Sequence, residues 1–578
     1  MSQGDFILQM PPISRSRLQV ITGENHPDRS QRRRGGITRL TVDVPSAPAP
    51  GESRPPRWRS PEFFLYYAVF LAVVPWMIYL PVQLSSNTHP NYSLYRHRLK
   101  SGWFPGTEID NSDAQYRSFR LNLPALGVLM AAFFALKFAY MHPVLRGSAP
   151  AHYLHRVPFY ILVSLLMLVV LHGASIIKIL FILSVNYALA KATGGTRLAV
   201  PATWLFNCGV LIANEWCEGY AFETLHPSFA FLDAWRGVYP RWHISFNITM
   251  LRLVSFGIDH HWACSRVGVT DPGSTMTYKQ RAAFHHSRTT YTFGNYLAYA
   301  LYAPLYIAGP IITFNDFMWQ LIQPTEIAPR ATARYALRFL ISLLTMETLI
   351  HVMHVVAIKD ARAWTGMTPA QLSLLGFWNL IFVWLKLLLP WRFFRLWALV
   401  DGLDPPENMI RCMANNYSPF GFWRSWHRSY NLWIVRYLYV PLGGAHRLVA
   451  TSLLIFTFVA LWHDLSPRLL AWGWLAALFI LPEVIARRAF PQSTFGEVWW
   501  YRHLCAAGGV FNILLMMGAN LVGFVLGMDG ARYFANELSS SWDGIRFLFV
   551  ACACLFVGVQ IMFEYREEEL RRGIQRRC

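Results

Sequence analysis

From Phe63 to Leu84 the chain runs without one charged side chain, long enough to cross a hydrocarbon layer of about 30 Å, which takes roughly 20 apolar helical residues. Comparable apolar segments follow at Leu121 to Met141, Tyr335 to Ala357, Leu372 to Val400, Leu469 to Ile485, Gly508 to Leu526 and Ile545 to Phe563. Others, at Phe159 to His172, Ser175 to Ala190 and Thr203 to Ile212, are too short for a simple span. Backbone polar groups have no water partner in lipid, so such pieces must be tilted, broken or re-entrant and buried against neighbours. The pattern predicts an all-α polytopic membrane protein, with about 10 to 12 membrane helices, re-entrant segments included, around a central chamber. A hydrophobic content of 54% against 15% charged residues excludes an ordinary soluble enzyme of this size.

The net charge of +20 raises the question of nucleic acid, but no basic stripe lies on a soluble domain. The Arg residues cluster in the N-terminal segment and between apolar runs, where anionic headgroups and the positive-inside rule account for them. Residues 1–60, rich in Arg, Pro, Ser and Gly, read as a disordered basic cytosolic tail. Residues 61–564 read as the membrane domain and 565–578 as a charged cytosolic tail, so both termini share one side and the crossings are even in number. The eight cysteines are scattered, with no CxxC, and suggest neither a disulfide framework nor a metal site. His260, His261, Cys264, His285 and His286 invite a zinc reading, but adjacent histidines seldom share one tetrahedral ion. A wet interfacial loop fits them better, and no metal is expected. Asn91-Tyr92-Ser93 is a glycosylation sequon in a polar loop.

The richest stretch is Phe422-Trp-Arg-Ser-Trp-His427-Arg-Ser-Tyr-Asn431-Leu-Trp-Ile434. Read as one helix, Trp423, His427, Tyr430, Asn431 and Ile434 share a face, because residues three and four apart are neighbours. Imidazole and amide groups then sit on one wall with large aromatics. Arg424 and Arg428, also four apart, repel unless something anionic is near. The next apolar run, Leu448 to Trp462, ends at His463-Asp464. An ionisable group beside a membrane helix is costly and usually functional, and imidazole, with a pKa of about 6.5, is suited to take and return a proton near neutrality. His463 also fits a plain interface marker before the Ser466-Pro467 helix start. Asp464 cannot orient it, since adjacent helical side chains point about 100° apart.

The run FWRSWHRSYNLWIVRYLYVPLGG resembles the signature of membrane-bound O-acyltransferases, most closely their fungal glycerol-uptake-protein subgroup, relatives of hedgehog acyltransferase. A second stretch, Tyr296 to Ile312, resembles the family's chamber-lining segment. There Pro304 frees a helical carbonyl and Gly309-Pro310 breaks the helix. The resemblance implies an acyl-CoA-dependent enzyme with His463 as general base and His427 polarising the thioester or orienting the acceptor. Asn431, Trp423, Trp426, Arg424, Arg428, Tyr302 and Tyr306 would line the substrate path, with Arg436 a further candidate for CoA phosphates. It implies acyl-CoA as co-substrate, no bound cofactor and no acyl-enzyme serine. The acceptor would be a lyso form of a glycosylphosphatidylinositol anchor, or an anchored protein, in the endoplasmic reticulum membrane, with the plasma membrane as a second location. Two alternatives stand beside this: a glycerol transporter coupled to protons, and hedgehog-type acylation of a protein.

Overall fold

The computed structural model describes residues 55–146, 155–266, 276–574 and 576. The basic tail lies, up to residue 54, outside the described residues. As the apolar pattern requires, the fold is helical. Among the described residues the one sheet is a small antiparallel hairpin, Leu99–Ser101 against Glu108–Asp110. Eight helical stretches are long and apolar enough to cross a membrane: Pro61–Leu84, Ala114–His142, Arg156–Thr193, Pro329–Val352, Pro369–Asp401, Pro467–Ala489, Tyr501–Val525 and Trp542–Arg571. Val449–His463 is a shorter apolar helix.

Arg156–Thr193 is in fact two helices, Arg156–His172 and Ile176–Thr193, separated at Gly173. Gly173 has φ +55°, a backbone region that side chains disfavour, and a Cβ there would meet the Gly237 nitrogen at 2.8 Å. The break leaves polar groups to be satisfied, and the segment 235–239 satisfies them. Val238 and Tyr239 N–H groups donate to the carbonyls of Val170 (2.9 Å) and Leu171 (2.6 Å), and Ala174 N–H donates to Trp235 (2.9 Å).

The helix Trp242–Cys264 is the centre of the main core. Every residue from Thr249 to His260 is buried, as expected of a helix covered on all sides. Arg252, 1% exposed, answers the question raised by Pro304. Proline cannot donate to the carbonyl four residues back, here Ala300, and the Arg252 guanidinium donates to that oxygen instead (2.9 Å) and also to Leu305 O. The freed backbone is thus satisfied by protein.

Three expectations need correction. The histidines at 260 and 286 are not in a wet loop. His260 is 3% exposed, bonded to Ala190 O at 3.1 Å, and His286 is buried against Asn315 O at 2.9 Å. The sequon's Asn91 amide is occupied, donating to Ala363 O and Thr365 O, both at 3.1 Å. Third, the central stretch is not one helix, as described next. The charged segment from residue 565 begins within a helix, since Trp542–Arg571 is continuous through that residue. Two of the helix's carboxylates are buried in ion pairs, Glu564 with Arg571 (2.6 Å) and Glu569 with Arg411 (2.6 Å).

Candidate active site

Pro419–Ser425 and Arg428–Ile434 are separate helices, and His427 stands between them with φ +42° and ψ +50°. A non-glycine residue in that left-handed region is held there by its surroundings at a cost of order 1 to 3 kcal/mol. The restraint comes from elsewhere in the chain. Asn408, fully buried, accepts the N–H of Arg428 on its backbone carbonyl (3.0 Å) and the N–H of Ser429 on its side-chain oxygen (3.1 Å). Two of the orphan donors at the start of a helix are therefore capped by a distant loop. The Ser429 hydroxyl accepts the N–H of Ile311 (2.8 Å), which ties the break to the chain just beyond Gly309-Pro310. Asn408→Ala is expected to lower stability by about 1 to 2 kcal/mol, and Asn408→Asp, which keeps the acceptor, by less; thermal unfolding in detergent measures both.

The break aims His427 into a cage of aromatic rings. It stacks on Trp391 (4.4 Å, 24°) and lies 5.2 Å from Tyr430 and 6.5 Å from Trp462, centre to centre. Trp391 follows Pro390 inside the long helix Pro369–Asp401. The helix runs on through Pro390 without a break.

The helix Leu448–His463 ends in the same place. Trp462 packs on Tyr430 at 4.5 Å, and His463 lies edge-on to Trp462 (4.8 Å) and Trp472 (6.4 Å). Asp464 leaves the helix in extended conformation, so the helical angle that argued against a His463–Asp464 pair is not the geometry found there.

His427 and His463 both line one cavity of about 1340 Å3. Asn431, Trp423, Trp426, Arg424 and Arg428 line it too, so seven of the nine residues singled out from the sequence converge. Most of the rest of its wall is apolar or aromatic, with polar groups that include Gln115, Asn122, Arg241, Ser245, Lys279 and Lys386. Tyr302 and Tyr306 do not line it. Both are buried behind the wall, the Tyr302 hydroxyl donating to Asp401 and the Tyr306 hydroxyl bonded to His172 (3.2 Å). Their neighbours Ile307 and Ala308 reach the cavity instead. Arg436 is withdrawn as well, paired with buried Asp259 at 2.9 Å and lying 4.6 Å over the Trp262 ring.

Comparison with known proteins gives this architecture its family. The model of the membrane-bound O-acyltransferase family matches residues 164–528, more than half of the chain. The chain is a membrane-bound O-acyltransferase. The membrane-bound O-acyltransferase GUP1 of Saccharomyces cerevisiae is 43% identical over 94% of this chain and 98% of its own length. The gup1 acyltransferase of Schizosaccharomyces pombe is 37% identical over 99% and 97%. The mouse protein-cysteine N-palmitoyltransferase HHAT is 30% identical over only 36% of this chain. Dependence on acyl-CoA is general for the family, and the many apolar helices make this member a multi-pass membrane enzyme.

Proposed function

We propose that the enzyme transfers a fatty acyl group from acyl-CoA to a hydroxyl of a lipid acceptor, with His463 as base, and that the acceptor is a lyso-glycosylphosphatidylinositol in the endoplasmic reticulum membrane. The observation that carries this reading is the placement of His427 and His463 on the wall of one largely apolar cavity. His463 withdraws the acceptor's hydroxyl proton as the oxygen attacks the thioester carbonyl. His427 donates to the carbonyl oxygen as negative charge gathers there, with Asn431 one turn on as a second donor. When the tetrahedral adduct collapses, the carbon–sulfur bond breaks and the proton on His463 goes to the CoA thiolate, leaving ester, free thiol and neutral imidazole. Arg424 and Arg428 meet the CoA phosphates; Trp423 and Trp426 hold the acyl chain.

A lipid acceptor suits a cavity whose wall is mostly aromatic and aliphatic, and the similarity over nearly the full length is to O-acyltransferases, whereas the protein acylating relative covers about a third of the chain. Purified enzyme in liposomes tests the reading. Release of CoA thiol that depends on added lyso-glycosylphosphatidylinositol is expected. Flux of labelled glycerol with no acyl turnover would favour transport, and turnover only with a protein acceptor would favour the hedgehog-type reaction. His427→Ala is expected to lower turnover by about 10²-fold, the usual loss for one donor at a developing oxyanion.

A further inference from the structure

Among the described residues the His463 imidazole has no hydrogen-bond partner and no carboxylate paired with it. Its orientation comes from two flanking rings and from the backbone that carries it, and that backbone is the last residue of a helix, where chains fray and the final carbonyls lack partners. A second helix restrains this end. Asn247, on Trp242–Cys264, donates its side-chain amide to the Trp462 carbonyl (3.2 Å), and the Trp462 indole N–H donates to the Asn247 carbonyl (3.0 Å). The two bonds form a reciprocal clasp at the residue before His463. Asn247 is not among the residues that line the cavity, although its neighbours Ser245 and Ile248 are, so its clasp acts on the wall from outside it.

We propose that Asn247 is a positioning residue: through its clasp on Trp462 it fixes the end of the helix and so the direction of the His463 ring. This rests on His463 being the base. Trp462 also presses on Tyr430, which flanks His427, so one clasp keeps both imidazoles in a common frame. A displacement of the order of 1 Å between reacting groups costs up to about 10²-fold in rate.

The test measures kcat and KM of the full-length enzyme with acyl-CoA and the lyso-lipid acceptor, for Asn247→Leu and Trp462→Phe, each alone and with His463→Ala. Asn247→Leu removes the amide and keeps the same branching and heavy-atom count; Trp462→Phe removes the indole N–H and keeps an aromatic ring against Tyr430. Expected are a fall in kcat of about 10²-fold with KM for acyl-CoA within about twofold of wild type, partial recovery in Asn247→Gln, and no further loss when either change is added to His463→Ala. Wild-type kcat in Asn247→Leu, or the same fold loss with and without His463, would overturn the proposal. Should Asn247→Leu not fold, Trp462→Phe decides by the same criteria. If His463→Ala alone keeps full turnover, it is the general-base reading that fails.

Discussion

His463→Ala, and the closer mimic His463→Gln, should lose about 10²- to 10⁴-fold in acyl transfer, the range a positioned general base supplies, while the protein accumulates and unfolds as the wild type does. The stability half of this expectation follows from the structure. The imidazole makes no hydrogen bond to a described residue and faces the cavity, so removing it strands no polar partner and opens no sealed core. Rate is read as CoA thiol release in liposomes, stability as the thermal midpoint in detergent. A variant with normal turnover would remove His463 from the chemistry. A variant that simply fails to accumulate would make the residue structural.

The second large effect lies behind the site. Asp259 is fully buried and accepts from Arg436 (2.9 Å), the Tyr437 hydroxyl (2.9 Å) and the Asn315 N–H (3.3 Å). Through these bonds the wider, π-helical turn Val435–Tyr439 is anchored to Trp242–Cys264, the same helix that clasps Trp462. Asp259→Ala leaves the Arg436 guanidinium, largely but not wholly buried, without its counter-charge, a loss that reaches about 3 to 5 kcal/mol when one partner of a fully buried pair is removed. A marked fall in the thermal midpoint and in yield is expected. Replacing both partners, Asp259→Asn with Arg436→Gln, should recover much of the loss, because no unpaired charge remains. A single variant as stable as wild type would mean that water or lipid headgroups already reach Arg436.

Several features of the site were legible before any coordinates. Hydropathy marked the spans, and proline and glycine marked where helices had to break. Pro304 in particular required a substitute donor for the Ala300 carbonyl, though nothing in the local pattern pointed to Arg252, buried in another helix. A shared cavity for His427, His463 and Asn431 was what the family resemblance implied, and all three line one cavity. The assumption that carried His427 onto a continuous helical face did not survive, because Asn408 offers the backbone acceptors that let the chain turn there. Tyr302 and Tyr306 were assigned to the cavity because their stretch resembles the family's chamber-lining segment. Each found a buried partner, Asp401 or His172, and turned away.

The order of residues alone thus determined that this is a polytopic helical membrane protein and where some of its helices are interrupted, since apolar run length, proline and glycine act on the chain within a few residues, while the resemblance to a known family drew attention to two imidazoles. Only the tertiary structure decided which polar side chains face the cavity and which are spent on one another. In an interior without water every donor, acceptor and charge must find a partner, and those partners lie far off in sequence: Arg436 meets Asp259 across 177 positions and Trp462 meets Asn247 across 215.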